Sequence, residues 1–182
     1  MLSLIRPAVA MIAVLTVLLG IAYPLAMTSL SQALMPAQAQ GSLIERDGRI
    51  VGSALIGQAF AGPGYLHPRP SAAEPAYNAA ASTGSNHGPS SAALLAQVRD
   101  RAAAFDARPA PSEMATASAS GLDPHITRAA ALAQVTRIAA ARGIAPERVQ
   151  RAIDTATTGP AFGFVGQPII NVLRANLALD AG

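Results

Sequence analysis

Twenty consecutive residues, Ala8 to Met27, carry no charged side chain. At about 1.5 Å rise per residue a helix of that length crosses the roughly 30 Å hydrocarbon core of a bilayer. Arg6 is the only charged side chain ahead of the run, and none follows it until Glu45. A positive residue at the N-terminal flank with no Lys or Arg in the other predicts a cytoplasmic N-terminus and an exported remainder. The same region also admits a secretory signal: Ala37-Gln38-Ala39 has the small-x-small form of a cleavage site. The apolar run exceeds a signal's usual core of about 7 to 15 residues and extends through Leu30 to Leu34, so the anchor reading is taken. The resulting plan is a transmembrane anchor over 1–34, a linker over 35–41 and a single extracytoplasmic domain over 42–182.

Side chains are unevenly distributed around this helix. At 100° per residue Ala10, Ala13, Thr16, Gly20 and Pro24 share a sector about 120° wide, whereas Met11, Leu15, Leu18, Leu19 and Leu25 project elsewhere. Small residues let a second membrane helix approach closely, so Ala10, Ala13, Thr16 and Gly20 are candidate partner contacts.

Composition removes several classes of function. The chain has no Cys, which excludes disulfides, thiol catalysis and Cys-based metal sites. Its thirteen basic residues, all Arg and scattered, face ten acids for a net charge of +3, and aromatics make up only 4%. Neither a basic patch nor a stacking platform for nucleic acid results.

Beyond the linker, two β-branched runs flank Asp47-Gly48, a pair suited to the positive φ angles of a type I′ turn, and predict a β-hairpin. From Gly57 to Pro89 the chain is rich in Gly, Pro, Ser and Asn but interleaved with Tyr65, His67, Arg69 and Asn86. That mixture is not a flexible linker's, so an ordered surface loop that touches something is expected. Helices are predicted from Ser90 to Ala107, from a start at Asp123 or Thr127 up to Gly143, and from Pro146 to about Thr157. Over 166–180 the recurrence of Ile169, Leu173 and Leu177 favours a fourth helix, although the β-branched start favours a strand. The class is therefore α+β: one transmembrane helix and a domain with a hairpin and about four helices.

Chemical candidates are few. His67, His87 and His125 show no metal-ligand spacing. Ser118, Ser120, Asp123 and His125 superficially suggest a hydrolase triad, but no G-x-S-x-G elbow surrounds either serine, and hydroxyl-rich stretches before helices ordinarily satisfy backbone groups. No phosphate-binding loop is present, nor any Lys to reach a phosphate. An exported soluble hydrolase or a small-ligand binding module released by signal cleavage is one reading these residues leave open.

Several blocks in order carry a family likeness: Gly52-Ser53-Ala54-Leu55-Ile56-Gly57-Gln58, Tyr65-Leu66-His67-Pro68-Arg69-Pro70-Ser71-Ala72, Gly84-Ser85-Asn86, Thr116 through Ile126, and Gly166-Gln167-Pro168 with Asn171-Val172-Leu173 and Asn176 to Asp180. Together with Arg6-Pro7 and Tyr23-Pro24 they resemble the C subunits of the Kdp potassium-transporting ATPase. Leu66, Thr83 and His87 depart from that family's pattern. The resemblance implies a single-span inner-membrane subunit with a periplasmic domain. Its implied partners are a potassium-translocating subunit, a P-type ATPase subunit and a small single-helix subunit. It also implies a catalytic chaperone that raises the ATPase subunit's affinity for ATP, with no cofactor of its own and ATP and Mg handled by that subunit. Tyr65, His67, Arg69 and Ser71 in one loop, and Ser118, Ser120 and Asp123 in another, are the candidate partner contacts of the domain.

Overall fold

The computed structural model describes residues 2–105 and 107–181. They fall into two compact units, Met1–Leu43 and Ile44–Gly182.

The first unit is a continuous helix over Ser3–Leu34, 32 residues long and apolar enough to cross a membrane. Its ends are α-helical, α1 (Leu2–Leu15) and α2 (Tyr23–Leu34), but the middle, Thr16–Ala22, is a π-helix. The Tyr23 N–H donates to the Leu18 carbonyl, five residues back. Pro24 accounts for the position of this wider turn: it has no N–H to donate to the carbonyl four residues before it, and its ring would collide with that carbonyl in an unaltered α-helix. Each π residue advances less than the α-helical 100°, so Gly20 and Pro24 are rotated away from the sector that a uniform α-helix would give them beside Ala10 and Ala13. Ser29 returns its hydroxyl to the Leu25 carbonyl at 2.9 Å, which satisfies the one polar group it adds. Met35 breaks the helix, and Pro36 opens a single further turn, α3 (Pro36–Ala39), within the stretch read as a linker.

The second unit is α+β. Strands β1 (Leu43–Arg46) and β2 (Arg49–Ser53) form the expected hairpin, with Asp47 at φ 52° and Gly48 at φ 74°, both left-handed as a type I′ turn requires. Helix α4 (Ala92–Ala104) is capped by the Ser91 hydroxyl, which accepts from the Leu94 N–H. A short turn, α5 (Ser112–Ala115), follows and drops Met114 and Ala115 into the core. Next come β3 (His125–Thr127), α6 (Arg128–Leu132) and α7 (Val135–Arg142); Thr127 is the N-cap of α6, and Gly143 ends α7 at φ 64°. Helix α8 (Pro146–Thr155) leads into β4 (Thr157–Thr158).

The stretch read as a single helix over 166–180 divides instead into β5 (Ile169–Asn171) and α9 (Val172–Asp180). Asn171 ends the strand and caps the helix, its side chain accepting from the Arg174 N–H at 3.1 Å. Strand β5 is the centre of an antiparallel sheet, β3-β5-β4, with Ile170 opposite Ile126 on one side and Thr157 on the other. Ile126, Ile138, Val149, Ile153, Ile170, Val172 and Leu179 fill the core beneath it, and Leu66 joins them from the long loop.

Candidate functional site

The long loop after the hairpin is built into the domain through its backbone. Asn176, on the core-facing side of α9, accepts the Leu66 N–H at 2.8 Å and donates to the Leu66 carbonyl at 3.0 Å. One residue on, Gln134 accepts the His67 N–H at 2.9 Å and donates to the His67 carbonyl at 3.1 Å. Gln134 also donates to the Ala130 carbonyl and accepts from Arg137, so both amide hydrogens and both acceptor positions are used. Both amides are about 1% exposed, where an unpaired polar group would be costly. These clamps hold the backbone N–H and carbonyl of two consecutive residues, and the Leu66 side chain lies in the core. Neither amide was singled out from sequence; the available signal was a lone amide inside an apolar helical face, beside Leu173 and Leu177 in one case and Leu132 and Val135 in the other.

The candidate residues then fall into one stitched assembly. Arg69 meets Asp123 at 3.2 Å and reaches the Ala117 carbonyl, so the Tyr65–Ser71 and Thr116–Asp123 segments touch directly. The Ser71 hydroxyl donates to the Gly121 carbonyl at 2.7 Å and accepts the N–H groups of Ala73 and Tyr77. Tyr77 donates to the Arg69 carbonyl at 2.6 Å; burial, then the Asp123 charge, pushes its pKa up to about 12. The Ser118 N–H donates to Pro70, and the Ser120 carbonyl receives the Thr83 N–H and the Ser82 hydroxyl. Gly57 donates to the Leu122 carbonyl so closely that a Cβ on it would lie 2.6 Å from the Asp123 carbonyl oxygen. Gly84 is likewise pressed on Ala119, and Gly121, at φ +68°, on Thr83 and Ala73.

Accessibility differs among them. Ser118 is buried, Tyr65, His67, Arg69, Ser71 and Asp123 are half-buried, and Ser120 is exposed. Tyr65 lies under the Arg142 guanidinium, 4.8 Å from its carbon to the ring centroid. The Nε2 of His67 stands 3.0 Å from the Gly62 carbonyl, an oxygen that only accepts, which puts the imidazole proton on that nitrogen. In the N-terminal helix, Ala10 and Ala13 lie in α1, and Thr16 and Gly20 lie in the π segment, all four exposed.

The chemistry of this assembly is positional. Asp123 is occupied by Arg69 and by the His125 backbone N–H at 3.0 Å, and the Ser120 hydroxyl accepts the Leu122 N–H. Those bonds fix turns rather than align a nucleophile with a base. The His125 pKa is lowered by burial and by Arg174, against an opposing pull from Asp123. Among the described residues no three His, Cys, Asp or Glu side chains gather where they could hold a metal ion.

The profile of KdpC, described as K+-transporting ATPase, c chain, matches residues 5–181. The chain belongs to the KdpC family. It is similar to a Potassium-transporting ATPase KdpC subunit of Cereibacter sphaeroides, with 53% identity over 184 residues, covering 100% of this chain and 98% of the relative. Subunits of the same description from Burkholderia vietnamiensis and Burkholderia cenocepacia are 55% and 54% identical, each over 98% of this chain and 96% of the relative. The family match spans the whole of the stitched assembly, from Tyr65 to Asp123.

Proposed function

We propose that this KdpC-family chain is a non-catalytic accessory subunit that stabilises the pump and acts as a catalytic chaperone, raising the affinity of the P-type ATPase subunit for ATP. The observation that carries the reading is the family match over 5–181. Its partners are the potassium-translocating subunit, the ATPase subunit and a small single-helix subunit, with ATP and Mg bound by the ATPase subunit. The anchor holds the chain in the inner membrane, its N-terminus in the cytoplasm and the domain from Ile44 onward on the periplasmic side, as the charge asymmetry around the span supports.

In that topology the domain never meets cytosolic ATP. Coupling to nucleotide affinity is then conformational: the subunit binds one state of its partners more tightly than another, and the difference in binding free energy reappears as a change in ATP affinity. A rigid binding face suits this role, because a face that deforms equally to both states discriminates neither. The clamped loop and the Arg69–Asp123 link provide the rigidity.

The test is purification of the tagged complex from potassium-limited cells, followed by measurement of ATP binding to the ATPase subunit with and without this chain. Co-purification and a tighter nucleotide affinity in its presence are expected. A lone soluble protein lacking the anchor, or an ATP affinity indifferent to the chain, overturns the proposal.

A further inference from the structure

The tip of the segment between β4 and β5 stands clear of the core. Every residue from Ala161 to Pro168 is exposed, with Phe162 at 91%, Phe164 at 80% and Val165 at 52%. It is nevertheless a built hairpin. The Ala161 N–H donates to the Val165 carbonyl and the Val165 N–H to the Ala161 carbonyl, both at 2.9 Å, around Phe162 at φ 54° and Gly163 at φ 82°. A bulky aromatic residue in the left-handed region is strained, and such strain persists where the surroundings or a function demand it. No charged side chain occurs from Thr155 to Leu173, and the only polar side chain between Gly159 and Pro168 is Gln167.

We propose that the Phe162–Phe164 tip inserts into the interfacial region of a lipid bilayer and gives the domain a second attachment to the membrane. The inference rests on the membrane-anchored reading above. Two features favour lipid over a protein groove. A protein interface surrounds its apolar centre with a polar, hydrogen-bonding rim, which this loop lacks; bilayer insertion needs only apolar side chains free of charge. Arg151, exposed on α8, which leads into β4, is the cation left for acidic headgroups, because Arg128, next to Thr127 at the loop's base, is ion-paired to Asp154 at 2.5 Å. The tether also permits it, because the seven residues 35–41 span at most about 25 Å.

The chain has no Trp, so a single indole reports on one place. The full-length protein would be reconstituted in phosphatidylethanolamine–phosphatidylglycerol nanodiscs as three variants: Phe164→Trp, Leu95→Trp on exposed α4, and Val14→Trp in the anchor. Quenching by lipids brominated near the headgroup end of the acyl chain and by aqueous iodide would be compared. The Phe164→Trp indole is expected to be quenched by bromolipid and to be roughly threefold less accessible to iodide than the Leu95→Trp indole. Adding Phe162→Asp, a residue that accepts the left-handed backbone, should return it to water.

An indole at 164 that behaves like the one at 95 overturns the proposal. So does one shielded from both quenchers, which would place a protein surface over the tip, and so does bromolipid quenching that survives Phe162→Asp unchanged. The Val14→Trp variant separates these outcomes from loss of the anchor, because without a span its indole also escapes bromolipid.

Discussion

Arg69 and Asp123, 54 positions apart in sequence, meet at 3.2 Å and fasten the two segments of the domain richest in candidate contacts. Asp123 serves a second group as well, the backbone N–H of His125. Asn at 123 keeps that second bond and loses only the ion pair, whereas Ala loses both. Asp123→Asn is therefore expected to cost about 1 kcal/mol or less and Asp123→Ala about 1–3 kcal/mol. Denaturant unfolding of the two variants checks the order; equal losses would mean that the backbone bond contributes nothing.

The Asn176 clamp is the larger single contribution. Asn176→Leu leaves the N–H and carbonyl of Leu66 buried without partners, at roughly 1–3 kcal/mol for each group. The expected result is a fall in unfolding midpoint together with new protease cleavage near residue 66. Loss of stability with the loop still protected would mean that Gln134 alone holds it.

Tyr77 makes the domain sensitive to alkali. Its folded pKa of about 12 lies above the ordinary value of 10.0, so the folded state keeps a proton that the unfolded state releases. Its contribution is complete below pH 10 and declines as pH rises through 10 toward 12. His125 has the opposite dependence: its lowered pKa makes stability fall as pH drops below the ordinary 6.5. Thermal melts of Tyr77→Phe against the unaltered chain from pH 9 to 12 should show the variant losing less stability. Parallel curves would exclude the tyrosine as the titrating group.

Gly20, in the π segment, tests whether a second helix packs on this part of the N-terminal helix. A Cβ there would sit 3.8 Å from the Thr16 methyl carbon, an ordinary contact, so nothing in the chain's own helix requires glycine. Leu at this position should leave the span inserted and reduce recovery of the other pump subunits in mild detergent several-fold. Undiminished recovery would show that no helix packs there.

Features governed by neighbouring residues were legible in the sequence. Asp47-Gly48 announced the hairpin, Thr127 was among the two caps proposed for its helix, and Gly143 ended α7 as a C′ glycine does. The sheet β3-β5-β4 was not legible, because strands of two or three residues are too short to show alternation, and Ile169 merges into the apolar face of α9. The two loops stood out by composition, but their joining through Arg69 and Asp123 depends on tertiary placement. The amide clamps were hidden for the same reason: Gln134 and Asn176 act on residues 67 and 110 positions away. The π turn follows from Pro24 only once the proline is known to lie within an unbroken helix.

The clamp on Leu66 also sets an order of events during biogenesis. Its partner lies 110 residues downstream, so the N–H and carbonyl of Leu66 lack their native partner until synthesis has reached Asn176. Until then the Tyr65–Ser71 segment has the Gln134 clamp but lacks the Asn176 one, and its fastening is complete only when α9 forms. The final helix thereby works as a latch, and a chain stalled before residue 176 would present its partners with an unlatched surface.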